Sequence, residues 1–114
     1  MKKILLVGIL MVSCLLSAQN IEPKYEVVNH MVKATFFHDN GQIKEQGFYL
    51  DGKLHGKWVS YNENGVKQAM GEYKKGVKVG KWFFWGENYL SEVDYNNSKV
   101  AEVKKWTKQA LAQN

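Results

Sequence analysis

Gly47-Phe48-Tyr49-Leu50-Asp51-Gly52-Lys53-Leu54-His55-Gly56-Lys57-Trp58 returns 24 residues later as Gly71-Glu72-Tyr73-Lys74-Lys75-Gly76-Val77-Lys78-Val79-Gly80-Lys81-Trp82. The two stretches share every glycine, the tyrosine and the closing Lys-Trp. The same period carries outward from them. Tyr25 precedes Tyr49 by 24 residues, Trp106 follows Trp82 by 24, and Phe37, Tyr61 and Trp85 form a further aromatic row. Asn40-Gly41 recurs as Asn64-Gly65. A fixed period of this size marks a chain built from stacked supersecondary units, none of which buries its apolar face alone.

Each unit reads as a hairpin. Lys57-Trp58-Val59-Ser60-Tyr61 is aromatic and β-branched, which suits a pleated strand. Asn62-Glu63-Asn64-Gly65 is turn chemistry, because Asn and Gly tolerate positive φ. A return strand follows over Val66 to Tyr73, and Lys74-Lys75-Gly76 and Gly80 punctuate the way to Trp82. The preceding unit runs from Thr35-Phe36-Phe37 through the turn His38-Asp39-Asn40-Gly41 to Ile43–Tyr49. Upstream, Tyr25–Val28 and Met31–Ala34 make a half unit around a tight turn at Asn29-His30. Stacked hairpins predict an all-β, single-layer antiparallel meander that grows by nearest-neighbour contacts.

The paired stretches resemble the MORN repeat, a G-x-Y-x-x-G-x-x-x-G-x-W/G pattern. Tyr61-Asn62-Glu63-Asn64-Gly65 is similar to the Tyr-x-Glu-Asn-Gly of a bacterial variant labelled YwqK-like antitoxin. The resemblance covers about residues 34–98 and implies a hairpin solenoid that serves as a binding or scaffolding surface. It implies structural roles for Tyr49, Gly52, Gly56, Trp58, Tyr73, Gly76, Gly80 and Trp82.

A third copy departs from the pattern. Tyr89 stands where a turn glycine belongs, Tyr95 arrives two residues early, Ser98 replaces the glycine of Gly76, and the register returns at Trp106. Degenerate terminal copies act as caps. Val100, Val103, Trp106, Ala110 and Leu111 fall at helical spacing, with Ser98 as an acceptable N-cap. The expectation is a helical cap over residues 99–114, with a last strand over Val100–Lys104 as the alternative.

Strand alternation assigns two faces. Val59, Tyr61, Phe83 and Trp85 share one with Thr35 and Phe37, and Trp58, Ser60, Trp82 and Phe84 point the other way. The Trp58/Trp82 side reads as a packing ladder. Phe37, Tyr61, Phe83 and Trp85, with Lys57 and Lys81 nearby, form the candidate binding face.

The N-terminus reads as an export signal over residues 1–19. Lys2 and Lys3 precede a nine-residue apolar run, Ile4–Val12, too short to span a bilayer, and Ser17-Ala18-Gln19 supplies small residues for cleavage. Met11-Val12-Ser13-Cys14 loosely resembles a lipobox that would lipidate Cys14, but Leu15 and Leu16 continue the apolar run past it. Cys14 otherwise leaves with the signal, and a cysteine-free chain of 95 residues and net charge +3 remains as one domain. Residues 20–98 hold the repeats.

No arginine occurs in the chain, and lysine-only basicity reads as a solvated surface rather than a nucleic-acid footprint. His30, His38 and His55 lack metal-ligand spacing, and no nucleophile elbow, phosphate loop or dinucleotide fingerprint is present. His55 is replaced by Val79 in its own repeat, which removes it as a catalytic candidate. These readings predict a non-enzymatic module without cofactor or metal, placed in the periplasm, on the outer membrane or outside the cell. A protein partner is the first expectation, a glycan or envelope polymer the second, and a cytosolic antitoxin, which requires an inactive signal, the third.

Overall fold

The short turns of this chain decide its topology. Asn29-His30, Asp51-Gly52, Lys75-Gly76 and Asn97-Ser98 each hold two consecutive residues at positive φ, 50° and 65°, 49° and 78°, 48° and 87°, 50° and 65°. Two consecutive positive φ values define type I′ geometry, whose twist matches that of paired strands. Such turns reverse the chain without splaying it, so each successive strand lies against the last.

The computed structural model describes residues 21–109. The expected export signal, with Cys14, and the final residues 110–114 lie outside them. The strands are β1 (Lys24–Val28), β2 (Met31–Phe37), β3 (Ile43–Leu50), β4 (Lys53–Leu54), β5 (Gly56–Tyr61), β6 (Lys67–Lys74), β7 (Val77–Trp85), β8 (Tyr89–Asn96) and β9 (Lys99–Thr107). They form one antiparallel sheet in the order β1-β2-β3-β5-β6-β7-β8-β9, with the short β4 pairing β3. The hairpin meander expected from the repeat is what forms, and the half unit at Asn29-His30 is its first hairpin.

Residues 99–107 are strand and not helix. β9 pairs β8 from Asn96–Lys99 to Tyr89–Thr107, with a register shift where Ala101 is inserted. That insertion explains the misleading spacing. Val100 faces Tyr95, Val103 faces Val93 and Trp106 faces Leu90, so three-residue intervals are met by one bulge and a change of face. Ser98 is a turn residue instead of an N-cap: it donates its N–H to Lys78 O at 2.9 Å and accepts from Lys78 N at 2.9 Å through Oγ.

Backbone and side-chain bonds splice the repeats along both turn rows. In the short-turn row, Gly76 N donates to Leu54 O at 2.8 Å, and Lys75 N donates to His55 Nδ1 at 3.1 Å. In the longer-turn row, Asn40 Nδ2 donates to Glu63 O at 2.7 Å, and His38 Nε2 donates to Tyr61 O at 2.8 Å. Within each of these turns an asparagine closes the loop. Asn62 Oδ1 accepts from both Asn64 N and Val66 N at 2.9 Å.

Packing is concentrated on the side carrying Trp58, Ser60, Trp82 and Phe84. Ser60 faces Ala69, and Ala69 faces Phe84, which places them on one surface as expected. Trp82 is its centre, with Trp58 at 5.6 Å, Tyr73 at 5.0 Å, Tyr95 at 6.0 Å and Phe84 at 6.2 Å between ring centres. Lys78 covers the cluster, its ammonium 5.0 Å from the ring centres of both Trp82 and Tyr95. The glycine of each repeat makes room: a Cβ on Gly47 would stand 3.0 Å from Trp58 Cδ1, and one on Gly71 would fall inside the Trp82 indole.

Trp106 does not continue this ladder. Val93 faces Trp82 on one side and Val103 on the other, so a Val93–Val103 pair stands where the earlier repeats place glycine and tryptophan. Trp106 faces Leu90 and Leu90 faces Trp85, which puts Trp106 on the opposite side of the sheet.

Candidate aromatic binding face

The second face is built by the alternate residues of the same strands. Gln46 faces Val59, Val59 faces Met70, Met70 faces Phe83, and Phe83 faces Glu92. At the far end of these strands Trp85, Leu90 and Trp106 lie side by side across β7, β8 and β9. Phe83 and Trp85 rings stand 6.3 Å apart, and the Lys67 ammonium lies 5.9 Å from the Trp85 ring centre.

Beside this apolar strip runs a charged one. Lys57 faces Glu72, Lys81 faces Asp94, and Glu92 faces Lys104. Lys81 Nζ also lies 3.8 Å from Glu92 Oε2. Lysines and carboxylates therefore alternate in sign, and the face carries no single-sign field.

Of the four residues expected on this face, the structure brings three together. Tyr61 and Phe83 line a shallow depression of about 410 Å³ with Lys57, Lys67, Glu72 and Lys81, and Trp85 adjoins it through Phe83. Phe37 does not line it. It faces Ile43 beyond a register shift, in the preceding hairpin. Leu90 and Trp106 complete the strip instead. Reading Trp106 by its period alone concealed this, and its pairing with Leu90 depends on the bulge at Ala101.

Trp85 and Trp106 are partly covered yet stay 37% exposed, against 1% for Trp82. The sheet thus separates a closed aromatic cluster from an open one. The expected structural positions fall on the closed side or in the turns: Gly52, Gly56, Gly76 and Gly80 have φ of 78°, 92°, 87° and 69°. Only glycine holds such angles without Cβ strain. Tyr49 sits against Val32 and Leu54, and Tyr73 against Trp82.

The histidines serve the frame. His38 and His55 bond the neighbouring repeat's backbone, which needs Nε2 of His38 protonated and Nδ1 of His55 bare. Among the described residues, no group of three or more His, Cys, Asp or Glu converges as a metal would require.

A family model described as MORN repeat variant matches residues 32–51 and 54–75. The first match runs from Val32 through β2, its turn and β3 to Asp51, the first residue of the next turn, and the second runs from Leu54 through β5 and β6 to Lys75. Each therefore corresponds to one hairpin of the sheet. The third hairpin, β7 with β8, pairs without the register shift of the first two and has Val93 in place of the repeat glycine. A comparison with curated proteins finds no match.

Proposed function

We propose that this chain is an exported, non-enzymatic binding or scaffold module of MORN-repeat type, which holds another protein against its open aromatic face. The observation that carries the reading is the row Trp85–Leu90–Trp106 beside Phe83, half-exposed in a chain whose other large aromatic cluster is closed. Partly exposed tryptophans on a rigid sheet are the residues that anchor protein interfaces, and the alternating lysines and carboxylates beside them suit a polar rim. The repeat match supports a binding surface over a catalytic centre. The apolar N-terminal run and the small residues at Ser17-Ala18-Gln19 support export.

One observation favours a second reading. The depression by Tyr61 and Phe83 has Glu72 and three lysines at its margin, an arrangement of aromatic platform and polar groups that suits a sugar ring. Capture from the envelope fraction of the host, with wild-type and Trp85→Ala protein in parallel, tests the proposal. A protein retained by the wild type and lost by the variant supports the first reading. Retention of polysaccharide alone supports the second, and equal retention by both variants removes the face from consideration.

A further inference from the structure

The two outermost strands of the sheet are complementary to each other. β1 pairs only β2 and β9 pairs only β8 among the described residues. By position in the repeat, β1 is a return strand, since Tyr25 stands where Tyr49 and Tyr73 stand in β3 and β6, and among the described residues no outgoing strand precedes it. β9 is an outgoing strand, and among the described residues no return strand follows it. Among the described residues, each edge is thus of the kind that the other edge would pair with.

The side chains agree. On the Trp82 side of the sheet the most exposed apolar groups gather at these edges, with Val27 at 82% and Val103 at 58%, and Tyr25 and Val100 beside them. On the other side β1 presents Lys24 and Glu26, and β9 presents Glu102 and Lys104. Within the strands Lys24 Nζ lies 3.5 Å from Glu26 Oε1 and Lys104 Nζ 4.0 Å from Glu102 Oε1, and across the ladder Glu26 faces Lys33 and Lys104 faces Glu92.

We propose that β1 of a second copy docks antiparallel on β9, with Val27 opposite Val103, so that the meander continues from one chain into the next. In that register Glu26 lies opposite Lys104, Tyr25 opposite Lys105 and Lys24 opposite Trp106, an ion pair and two cation–π pairs on matching faces. Turn geometry makes Val28–Met31 and Asn96–Lys99 the bonded pairs nearest their turns. Alternation along the strands then leaves the backbone groups of Val27 and Val103 aimed outward. A shift of two residues toward the N-terminus of β9 would oppose Lys24 to Lys104 and Glu26 to Glu102, which like-charge repulsion disfavours. The contact is heterologous and leaves a free edge at either end of the assembly, so association proceeds beyond the dimer. It uses the sheet edges and leaves the open aromatic face free.

Sedimentation velocity over a concentration series, with full chains produced in the host, tests this. The wild type should show a sedimentation coefficient that rises with concentration. Glu26→Lys and Lys104→Glu should each weaken association by about tenfold, the scale of replacing a cross-strand ion pair by a like-charge pair. An equimolar mixture of the two, and the double variant, should recover it, because each then offers an opposite charge. Circular dichroism of the single variants reports whether each still folds. A wild type that stays monomeric throughout overturns the proposal. So does self-association insensitive to Glu26→Lys, which would place the contact on a different edge, and so does a mixture that fails to recover.

Discussion

Gly71 and Trp82 occupy the same space on neighbouring strands: the Trp82 indole lies where a Cβ on Gly71 would be, and its Nε1–H reaches past to Glu72 O at 3.1 Å. The glycine's role is steric. Gly71 is absent from the residues with positive φ, so its backbone suits any residue, and what forbids a side chain is the ring above it. Gly47 and Trp58 repeat the relation more loosely.

Gly71→Ala should therefore destabilise by about 3 kcal/mol, the upper end of overpacking. Gly47→Ala should cost about 1 kcal/mol, since Trp58 Cδ1 at 3.0 Å needs to move only slightly. Denaturant titrations of the two variants check the order. Equal losses would mean that the Trp82 ring swings aside at no cost.

Substitutions at Gly80 should behave differently. Its φ is 69° and a Cβ there meets nothing within 4 Å, so the cost is conformational, about 1–2 kcal/mol for Gly80→Ala. Asparagine tolerates that region, and Gly80→Asn should recover part of the loss. Thermal melts of the pair distinguish this from Gly71, where asparagine should be worse than alanine.

The repeat hairpins and their turns were legible because Asn-Gly, Asp-Gly and Lys-Gly stand where φ must be positive, and because the aromatic alternation fixes which side chains share a face. The C-terminal element was not. Val100, Val103 and Trp106 suit a helix as well as a bulged strand, and only the ladder to β8, which no local pattern encodes, decides between them. The bulge at Ala101 sent Trp106 to the open face, and a separate register shift between β2 and β3 sets the place of Phe37, outside the candidate site. The register with the adjacent strand sets each position, beyond the reach of a 24-residue period.

Alkaline pH should expose Tyr73. Burial beside Trp82 raises its phenol above the ordinary 10.0, with Glu45, Tyr95 and Tyr49 adding to the effect. The folded state thus holds this proton more tightly than the unfolded chain. Its contribution to stability is complete below about pH 10 and falls as pH climbs toward the raised value. Phenolate absorbance should show a late-titrating group among the six tyrosines. Tyr73→Phe should remove that group and flatten the loss of stability above pH 10.

Trp82→Ala should cost about 3–5 kcal/mol, as removal of a buried aromatic does, and should loosen Trp58, Tyr73 and Tyr95 with it. Near-ultraviolet circular dichroism and a chemical melt measure both effects. A loss under about 1 kcal/mol, the range of ordinary surface substitutions, would place the core of the sheet elsewhere.

Separation of a packing face from a recognition face is tested most directly by Trp85→Ala, measured for stability and for capture from the envelope fraction in the same preparation. Trp85 is 37% exposed and Trp82 is 1% exposed. The variant should melt within about 1 kcal/mol of the wild type and lose its partner. Unfolding on Trp85→Ala, or unchanged capture by a folded variant, would contradict the assignment of this face to binding.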